Sequence, residues 1–295
     1  MTASPQKSTI VRTVDARTRL LFRAGEVLAP RRTGRIARDI WFAAPPLAPA
    51  DPLPPGGEPF VVTSLGAEVR GHVWGTGPVV YLVHGWGGRG SQLTSFVEPL
   101  VAAGYRAVLF DGPAHGDSAP GPAGPRRTHG VELGKALDAV AAQFGPAHTV
   151  VAHSLGTIAT YLALRFGWLG AERLVLLAPM VEAETLFDGF QRALGFGPRT
   201  RRAFDAAVEE FTGLGVADFD ARVQSAHTDA VPTLVVHDRG DRQTPYDDAA
   251  TLARTLPRAE LVTTQGLGHR RILRDPGVVA GVVAFIRDEQ EYAVA

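Results

Sequence analysis

The chain has 295 residues, of which 45% are hydrophobic and 20% charged, and its 30 basic residues balance 30 acidic ones. This composition suffices for one sizeable core, and the neutral charge argues against nucleic acid or an anionic membrane surface as the main partner. The absence of cysteine excludes disulfides, thiolate metal sites and a cysteine nucleophile, and it fits a cytoplasmic location.

Residues 1–57 are predicted to form a helical arm followed by a linker. Apolar residues recur at helical spacing in the arm, at Val14, Leu20, Leu21, Ala24, Val27 and Leu28. This spacing predicts an amphipathic helix that packs its apolar face on the domain, with peripheral membrane contact as the alternative. The stretch APPLAPADPLPPGG, residues 44–57, is a proline-rich linker. No apolar run is long enough to span a bilayer, so we expect no stable membrane insertion.

Beyond the linker, strand patterns alternate with helical ones. PFVVTSL and VRGHVWG predict an antiparallel pair with a turn near Gly66. PVVYLVHG is apolar on both faces, as a fully buried strand is. Further strands are predicted at YRAVLFD, HTVVAHS, ERLVLLAP, PTLVVHD and AELVTTQ, with helices between them. The alternation indicates an α/β fold with a mostly parallel twisted sheet flanked by helices.

Residues 180–230 interrupt this alternation and are predicted to be an inserted helical cap. The interval is far longer than an ordinary crossover connection, and it leaves a core of residues 58–179 and 231–295. A cap in this position covers the carboxyl ends of the strands, where α/β sheets bind ligands. Its phenylalanines are expected mainly to pack the cap on the core, and some to line an acyl pocket.

Ser154 is the predicted nucleophile. It lies in VVAHSLGTIAT, between a buried strand and a helix, with Ala152 two residues before it and Gly156 two residues after it. A serine on a sharp strand-to-helix turn needs small residues at both positions because the turn crowds the backbone. Alanine replaces the more common glycine here, and it still permits the turn.

A serine hydroxyl needs a neighbouring base, and His269 is the predicted one. It follows the last strand in the glycine-rich stretch QGLGHRR, and hydrolases of this kind run serine, acid, histidine along the chain. The acid comes from HDRGDRQTP, where Asp241 is favoured over Asp238. Its carboxylate would hold the imidazole in the required tautomer.

The tetrahedral intermediate needs two backbone N–H donors, which we predict to be those of Leu155 and Trp86. Leu155 directly follows the serine at the start of a helix. Trp86 lies in HGWGG, a glycine-rich turn after the first parallel strand. A phosphate-binding loop is excluded because neither nucleotide-binding pattern is present.

Five motifs in order resemble those of the α/β-hydrolases over roughly residues 58–290. They are HGWGG, FDGPAHGDSAP, AHSLG, HDRGDRQTP and GLGH. The resemblance implies an α/β-hydrolase fold, a triad of Ser154, Asp241 and His269, and an active site under the cap. The sequence departs from the family pattern at Ala152, and the resemblance does not extend to the residues before 58.

We therefore expect a serine hydrolase that cleaves a small or medium acyl ester or thioester, with a small-molecule acyl substrate and no cofactor or metal. Hydrolysis of short peptides or amides remains open because the fold does not fix the scissile bond. A ligand-binding or signalling protein with slow or no turnover is the alternative from another class, and a cofactor-free haloperoxidase-like activity is a further enzymatic one.

Overall fold

A computed structural model of the protein describes residues 14–45, 49–228 and 230–288. Its strands are β1 (Glu58–Ser64), β2 (Ala67–Trp74), β3 (Val79–Val83), β4 (Arg106–Phe110), β5 (Ala147–His153), β6 (Ala171–Leu177), β7 (Thr233–Asp238) and β8 (Ala259–Thr264). They form one sheet in the order β1-β2-β4-β3-β5-β6-β7-β8. This confirms the predicted α/β architecture.

The sheet is antiparallel at one edge and parallel elsewhere. β1 and β2 form a hairpin that turns at Gly66, whose φ of +80° favours glycine. β2 pairs antiparallel with β4, and every other neighbouring pair is parallel. All five residues of β3 are buried, as expected for a central strand covered on both faces.

Helices cover both faces of the sheet and extend beyond it. They are α1 (Ala16–Leu28), α2 (Pro30–Trp41), α3 (Val97–Ala102), α4 (Gly130–Phe144), α5 (Leu155–Arg165), α6 (Glu184–Leu194), α7 (Pro198–Thr212), α8 (Ala221–Ser225), α9 (Tyr246–Thr255), α10 (Gly268–Arg271) and α11 (Pro276–Ile286). The apolar residues of α4 and α5 belong to one core cluster and those of α3 and α11 to another. None of the helices formed by the described residues is long and apolar enough to cross a membrane.

The segment between β6 and β7 is largely helical. It contains α6, α7 and α8, with a 3₁₀ turn at residues 216–219. Gly195 and Gly213 end α6 and α7 in the left-handed conformation, with φ of +75° and +74°, which is why glycines lie at these joints.

The N-terminal arm forms two helices, α1 and α2, and it differs from the prediction in the direction that α1 faces. The predicted apolar face is exposed: the exposed fractions are 68% for Leu20, 71% for Leu21 and 82% for Leu28. The buried side chain of α1 is instead Phe22, whose ring lies 5.8 Å from that of Phe196 in the segment after α6. Val14, at the start of the predicted face, is partly buried against the core. For the leucines the prediction that this face packs on the domain is wrong, because periodicity identifies an apolar face but not the direction in which it points.

Candidate active site

Ser154 lies on the sharp turn between β5 and α5. Its backbone has φ +52° and ψ −118°, a strained conformation for any residue other than glycine. The turn leaves no space for larger neighbours: a Cβ atom on Gly156 would lie 2.8 Å from the carbonyl oxygen of Val83, and one on Gly85 would lie 2.7 Å from Ser154 Cβ. Ala152 is fully buried in the core, so its methyl group is accommodated there. These features match the predicted elbow.

Asp241 and His269 are hydrogen-bonded. His269 Nδ1 lies 2.7 Å from Asp241 Oδ2, and both side chains are buried. The carboxylate also accepts the backbone N–H groups of Gln243 (2.7 Å) and Thr244 (3.2 Å). Burial acts to raise the pKa of Asp241, but hydrogen bonds from His237 and His269 outweigh it and hold the pKa far below its ordinary value. Asp241 is therefore an ionised acceptor that fixes the orientation of the imidazole.

The second candidate acid, Asp238, has its carboxylate oxygens engaged elsewhere. They accept the Thr264 hydroxyl (2.9 Å) and the backbone N–H groups of Leu267 (2.8 Å) and Gly240 (2.8 Å). Burial favours a higher pKa for Asp238, but the Leu267 and Gly240 N–H donors bring its pKa below the ordinary value. Asp238 thus anchors the loop that leads to His269, and no hydrogen bond between described residues joins it to the ring.

His153 positions the loop of His269. Its Nε2 atom lies 3.0 Å from the carbonyl oxygen of His269, so Nε2–H donates this hydrogen bond. The two imidazole rings are 4.7 Å apart, centroid to centroid. Burial, and then the neighbouring His269, lower the pKa of His153 well below its ordinary value, which keeps the ring neutral. This agrees with its predicted positioning or core role.

Two buried histidines hold the HGWGG loop. The backbone N–H of Gly112 donates to His84 Nε2 (2.8 Å), and His84 Nδ1–H donates to the carbonyl of Gly85 (2.8 Å). Similarly, the backbone N–H of Gly87 donates to His115 Nε2 (3.0 Å). Burial lowers the pKa of His84, and it lowers that of His115 to about 4. Both rings therefore stay neutral, as a ring nitrogen that accepts an N–H requires.

The backbone N–H groups of Trp86 and Leu155 are available to a ligand. Neither donates a hydrogen bond to a described residue, and Leu155 is the first residue of α5, where N–H groups lack a partner within the helix. Both residues line the same cavity as Ser154. Two free donors beside a serine hydroxyl are the arrangement that an oxyanion requires.

The cavity beside Ser154 has a volume of about 110 Å³ and mostly apolar walls. The segment between β6 and β7 contributes Met180, Leu186, Phe187 and Val208 to these walls. Of the phenylalanines in residues 180–230, Phe187 and Phe219 are among the lining residues. Phe190, Phe196 and Phe204 pack on one another, and Phe211 packs on Phe42 of the arm. No group of three or more acidic or histidine side chains in the described ranges is placed to hold a metal ion.

The N-terminal arm also reaches the cavity, which sequence reasoning missed. Trp41 and Phe42, at the end of α2, line it. The Trp41 ring meets Phe187 edge-on, with centroids 4.8 Å apart. Further along, Pro45 packs against Gly87 of the HGWGG loop, where a Cβ atom would collide with the proline ring. No sequence motif predicts this contribution. The sequence feature that could have indicated it is the aromatic pair Trp41 and Phe42 at the end of a helical stretch.

His129 is a second residue that the sequence did not single out. It precedes α4, lines the cavity and is buried. Its Nδ1 atom has no hydrogen-bond partner in the described part of the chain, and burial lowers its pKa to about 4. His129 therefore adds a neutral polar ring to a wall that is mostly apolar.

The predicted hydrogen bond between the Ser154 hydroxyl and the His269 ring is not formed in the part of the chain that the structure describes. Thr244 connects the two parts of the site, since it lines the cavity and its Oγ1 atom lies 3.1 Å from Asp241 Oδ2 and 3.4 Å from His269 Nδ1. In hydrolases without substrate such catalytic hydrogen bonds are often long and tighten when substrate binds.

Residues 80–282 match the model of the alpha/beta hydrolase family. The match spans more than half of the chain and agrees with the observed sheet order and elbow. The protein belongs to the alpha/beta hydrolase family and is an enzyme of that class.

Among characterised proteins, the chain is similar to two non-heme haloperoxidases. It is 28% identical over 260 residues to the non-heme haloperoxidase of Rhodococcus erythropolis, with 72% of this chain and 92% of that protein covered. It is 27% identical over 266 residues to the non-heme chloroperoxidase CPO-A1 of Kitasatospora aureofaciens, with the same coverage.

Solved structures show the same fold at low identity. An esterase of Pyrococcus furiosus superposes with a TM-score of 0.64 at 16% identity, covering 84% of this chain and 98% of the esterase. The thioesterase domain from the curacin biosynthetic pathway gives a TM-score of 0.57 at 20% identity, covering 79% of this chain and 99% of the domain. These likenesses concern the fold alone.

Proposed function

We propose that the protein hydrolyses esters or thioesters of small or medium acyl groups through an acyl-enzyme on Ser154. The observation that carries this proposal is the strained serine at the start of α5, beside a mostly apolar cavity and two backbone N–H groups that donate to no described residue. Backbone strain at a turn that exposes a serine hydroxyl is typical of a nucleophile in an active site.

In this mechanism Ser154 Oγ attacks the substrate carbonyl and His269 takes its proton. The N–H groups of Trp86 and Leu155 donate to the oxyanion, and removing one such donor typically slows turnover by about 10²–10³-fold. His269 then protonates the leaving alcohol or thiol, and water releases the acyl group by the reverse proton transfers. Asp241, ionised and hydrogen-bonded to Nδ1, stabilises the imidazolium.

We further propose that residues 180–230 act as a cap over this site and that the cavity receives the apolar part of the substrate. Met180, Leu186 and Phe187 support this assignment, because they come from that segment and line the same cavity as Ser154. Binding pockets of this kind combine apolar walls with a few placed polar groups.

The test is covalent labelling combined with ester turnover. The purified protein is expected to react with a fluorophosphonate probe at Ser154 and to hydrolyse p-nitrophenyl esters across a series of acyl lengths. Ser154→Ala should abolish labelling and lower turnover by more than about 10³-fold. Ser225→Ala is the matched control, because its hydroxyl donates only to Arg222 within α8.

Full ester turnover by Ser154→Ala would contradict the mechanism. Folded wild-type protein that neither reacts with the probe nor hydrolyses any ester, thioester or short peptide would support a binding or signalling protein instead. Turnover of amides with little turnover of esters would keep the nucleophile but change the substrate class.

A peroxide-dependent halogenation is a second candidate, which the names of the two similar proteins favour. Here hydrogen peroxide would replace water in attacking the acyl group on Ser154, giving a peracid that oxidises a halide. Bromination of a phenol in the presence of peroxide, bromide and a carboxylic acid measures it, and loss of bromination in Ser154→Ala would tie it to the same serine.

A further inference from the structure

Helix α1 turns its apolar side chains outward. Leu20, Leu21, Val27 and Leu28 have exposed fractions of 68%, 71%, 69% and 82%, and Ala24 between them is also exposed. Residues with this spacing share one face of a helix. Scattered exposed leucines are ordinary, but a continuous apolar face marks a contact surface. We call these five residues the leucine face.

The opposite face of α1 is fixed to the protein, so the leucine face does not point outward by chance. Phe22 is buried. The Glu26 carboxylate accepts the backbone N–H groups of Gly197 (3.1 Å), Arg199 (3.0 Å) and Thr200 (2.9 Å) at the start of α7. Turning the leucine face inward would break these contacts and expose three helix-terminal N–H groups.

Arginines are concentrated on α1 and α2, the two helices of the arm that carries the leucine face. α1 and α2 contain seven arginines and two acidic residues, Glu26 and Asp39. Some of the arginines are engaged within the protein, since Arg19 donates to the carbonyl of Ala193 and Arg38 pairs with Asp39.

Two of these seven arginines, Arg31 and Arg35, line an open groove between α2 and α7 together with Arg199 and Arg202 of α7. Glu210 is the acidic lining residue and lies 3.7 Å from Arg35. Since the whole chain is neutral, its positive charge is concentrated on this side. The argument from overall neutrality against an anionic surface therefore does not apply locally.

We propose that the leucine face docks on an anionic lipid surface, with arginines of α1 and α2 against the lipid phosphates. An amphipathic helix with an apolar face and flanking cations lies in the plane of such a surface. This contact requires no membrane-spanning helix. It would also place the lipid beside α2, whose last residue, Trp41, lines the cavity at Ser154.

Charge argues against two other partners for the leucine face, a second copy of the chain and the chain's own residues 1–13. In a two-fold dimer through this face, the same patch of each copy would meet, bringing arginines against arginines. Residues 1–13 carry Lys7 and Arg12 but no acidic residue, and their large apolar side chains are Met1, Ile10 and Val11. They match the arginine-rich helices poorly and would add to the attraction for lipid phosphate.

The test is flotation of the full-length protein with two kinds of vesicle, phosphatidylcholine alone and phosphatidylcholine mixed with phosphatidylglycerol. Wild type is expected to bind the mixed vesicles about tenfold or more tightly than the neutral ones, and less tightly as salt is raised. Leu21→Gln/Leu28→Gln should weaken binding to the mixed vesicles by about tenfold or more. Arg31→Gln/Arg32→Gln should reduce the dependence on salt.

Controls separate docking from folding and from the proposed hydrolase activity. Leu65→Asn removes another exposed leucine, 50% exposed and at a φ of +48° that asparagine tolerates, and it should bind vesicles as wild type does. Ser154→Ala should bind normally whatever its turnover. The leucine variant should retain wild-type turnover of a short soluble ester or, if no ester is turned over, the wild-type melting temperature.

Three results would overturn the proposal. The first is equal binding of wild type to both kinds of vesicle, or none. The second is vesicle binding that Leu21→Gln/Leu28→Gln leaves unchanged. The third is a wild-type dimer, seen by light scattering without lipid, that this double substitution dissociates, because the leucine face would then be an interface between copies.

Discussion

The loops at the carboxyl edge of the sheet and the N-terminal helices both reach the cavity at Ser154, but different forces hold them there. In the loops, polar contacts dominate: Asp241 accepts from backbone and side-chain donors, and His84 holds Gly85. In α2, aromatic packing dominates, with the Trp41 ring against Phe187 and Phe190 at centroid distances of 4.8 and 5.2 Å.

Because of this difference, we expect substitutions in the two regions to affect different properties, the rate of turnover in one and substrate selectivity in the other. Hydrogen bonds fix donor and acceptor atoms closely enough for proton transfer, so substitutions in the loops should act on turnover. Packed rings set the shape of a wall, so substitutions in α2 should act on which substrate is accepted. Substitutions at Asp241 and Trp41, each with a matched control, test this division.

The largest effect is expected for Asp241→Asn. An amide fits the same space but presents no charge to the His269 ring, so kcat should fall on the order of 10⁴-fold while KM changes little. Steady-state kinetics on a short p-nitrophenyl ester measure this.

Asp238→Asn is the matched comparison, because Asp238 anchors the loop and is not hydrogen-bonded to the ring. It should lower the melting temperature more than Asp241→Asn does and reduce kcat less. A larger loss of kcat in Asp238→Asn than in Asp241→Asn would reverse the assignment of the two carboxylates.

A smaller, qualitatively different effect is expected for Trp41→Ala. Removing the indole widens the cavity, so kcat/KM should shift toward longer or bulkier acyl groups by about tenfold relative to short ones. The measurement is the ratio of kcat/KM for a long and a short ester. Trp168→Ala, whose ring stacks on Phe166 outside the cavity, should leave that ratio unchanged, and an equal shift in both variants would argue against a wall at Trp41.

The smallest effect is expected for Glu26→Gln, which weakens the attachment of α1 to α7. Burial favours a higher pKa for Glu26, but hydrogen bonds from Thr200, Arg199 and Gly197 bring its pKa below the ordinary 4.5. A carboxyl with a lowered pKa stabilises the folded state fully above pH 4.5, and this contribution is lost as the pH falls through the folded-state value.

Urea unfolding should therefore show Glu26→Gln less stable than wild type by at most about 1 kcal/mol at pH 7, since the group is close to solvent. The gap should narrow as the pH falls below 4.5 and close once the pH is below the folded-state pKa of Glu26. A gap that stays constant across this range would mean that the charge of Glu26 contributes nothing.

Local patterns sufficed for the core of the fold and for several features of the site. β3 could be predicted because its residues are apolar on both faces, and β5 because the apolar residues Val150, Val151 and Ala152 lie at its centre. The turn at Ser154 could be predicted because Gly156 lies against the backbone of β3, where only a small residue fits. Such constraints act between residues that are close in sequence or at a fixed spacing, so a local sequence pattern is enough to predict them.

Contacts between distant segments left no such trace. Trp41 reaches the cavity because α2 packs on α7, with Gly34 so close that a Cβ atom would lie 2.6 Å from the backbone of Phe204, and nothing near Trp41 in the sequence encodes this. The outward direction of Leu20 and Leu28 depends likewise on where Phe22 and Glu26 attach. Sequence reasoning favoured Asp241 over Asp238, but only the hydrogen bonds show that Asp241 contacts the His269 ring and that Asp238 holds Leu267.

The backbone of Ser154 has one more consequence. Glycine would adopt its positive φ without the steric penalty that serine carries. Pressure for heat resistance alone would thus replace the serine, whereas pressure for catalysis would keep it. If Ser154 is the nucleophile that we propose, engineering for thermal stability should leave position 154 unchanged, because stability and reactivity favour opposite residues there.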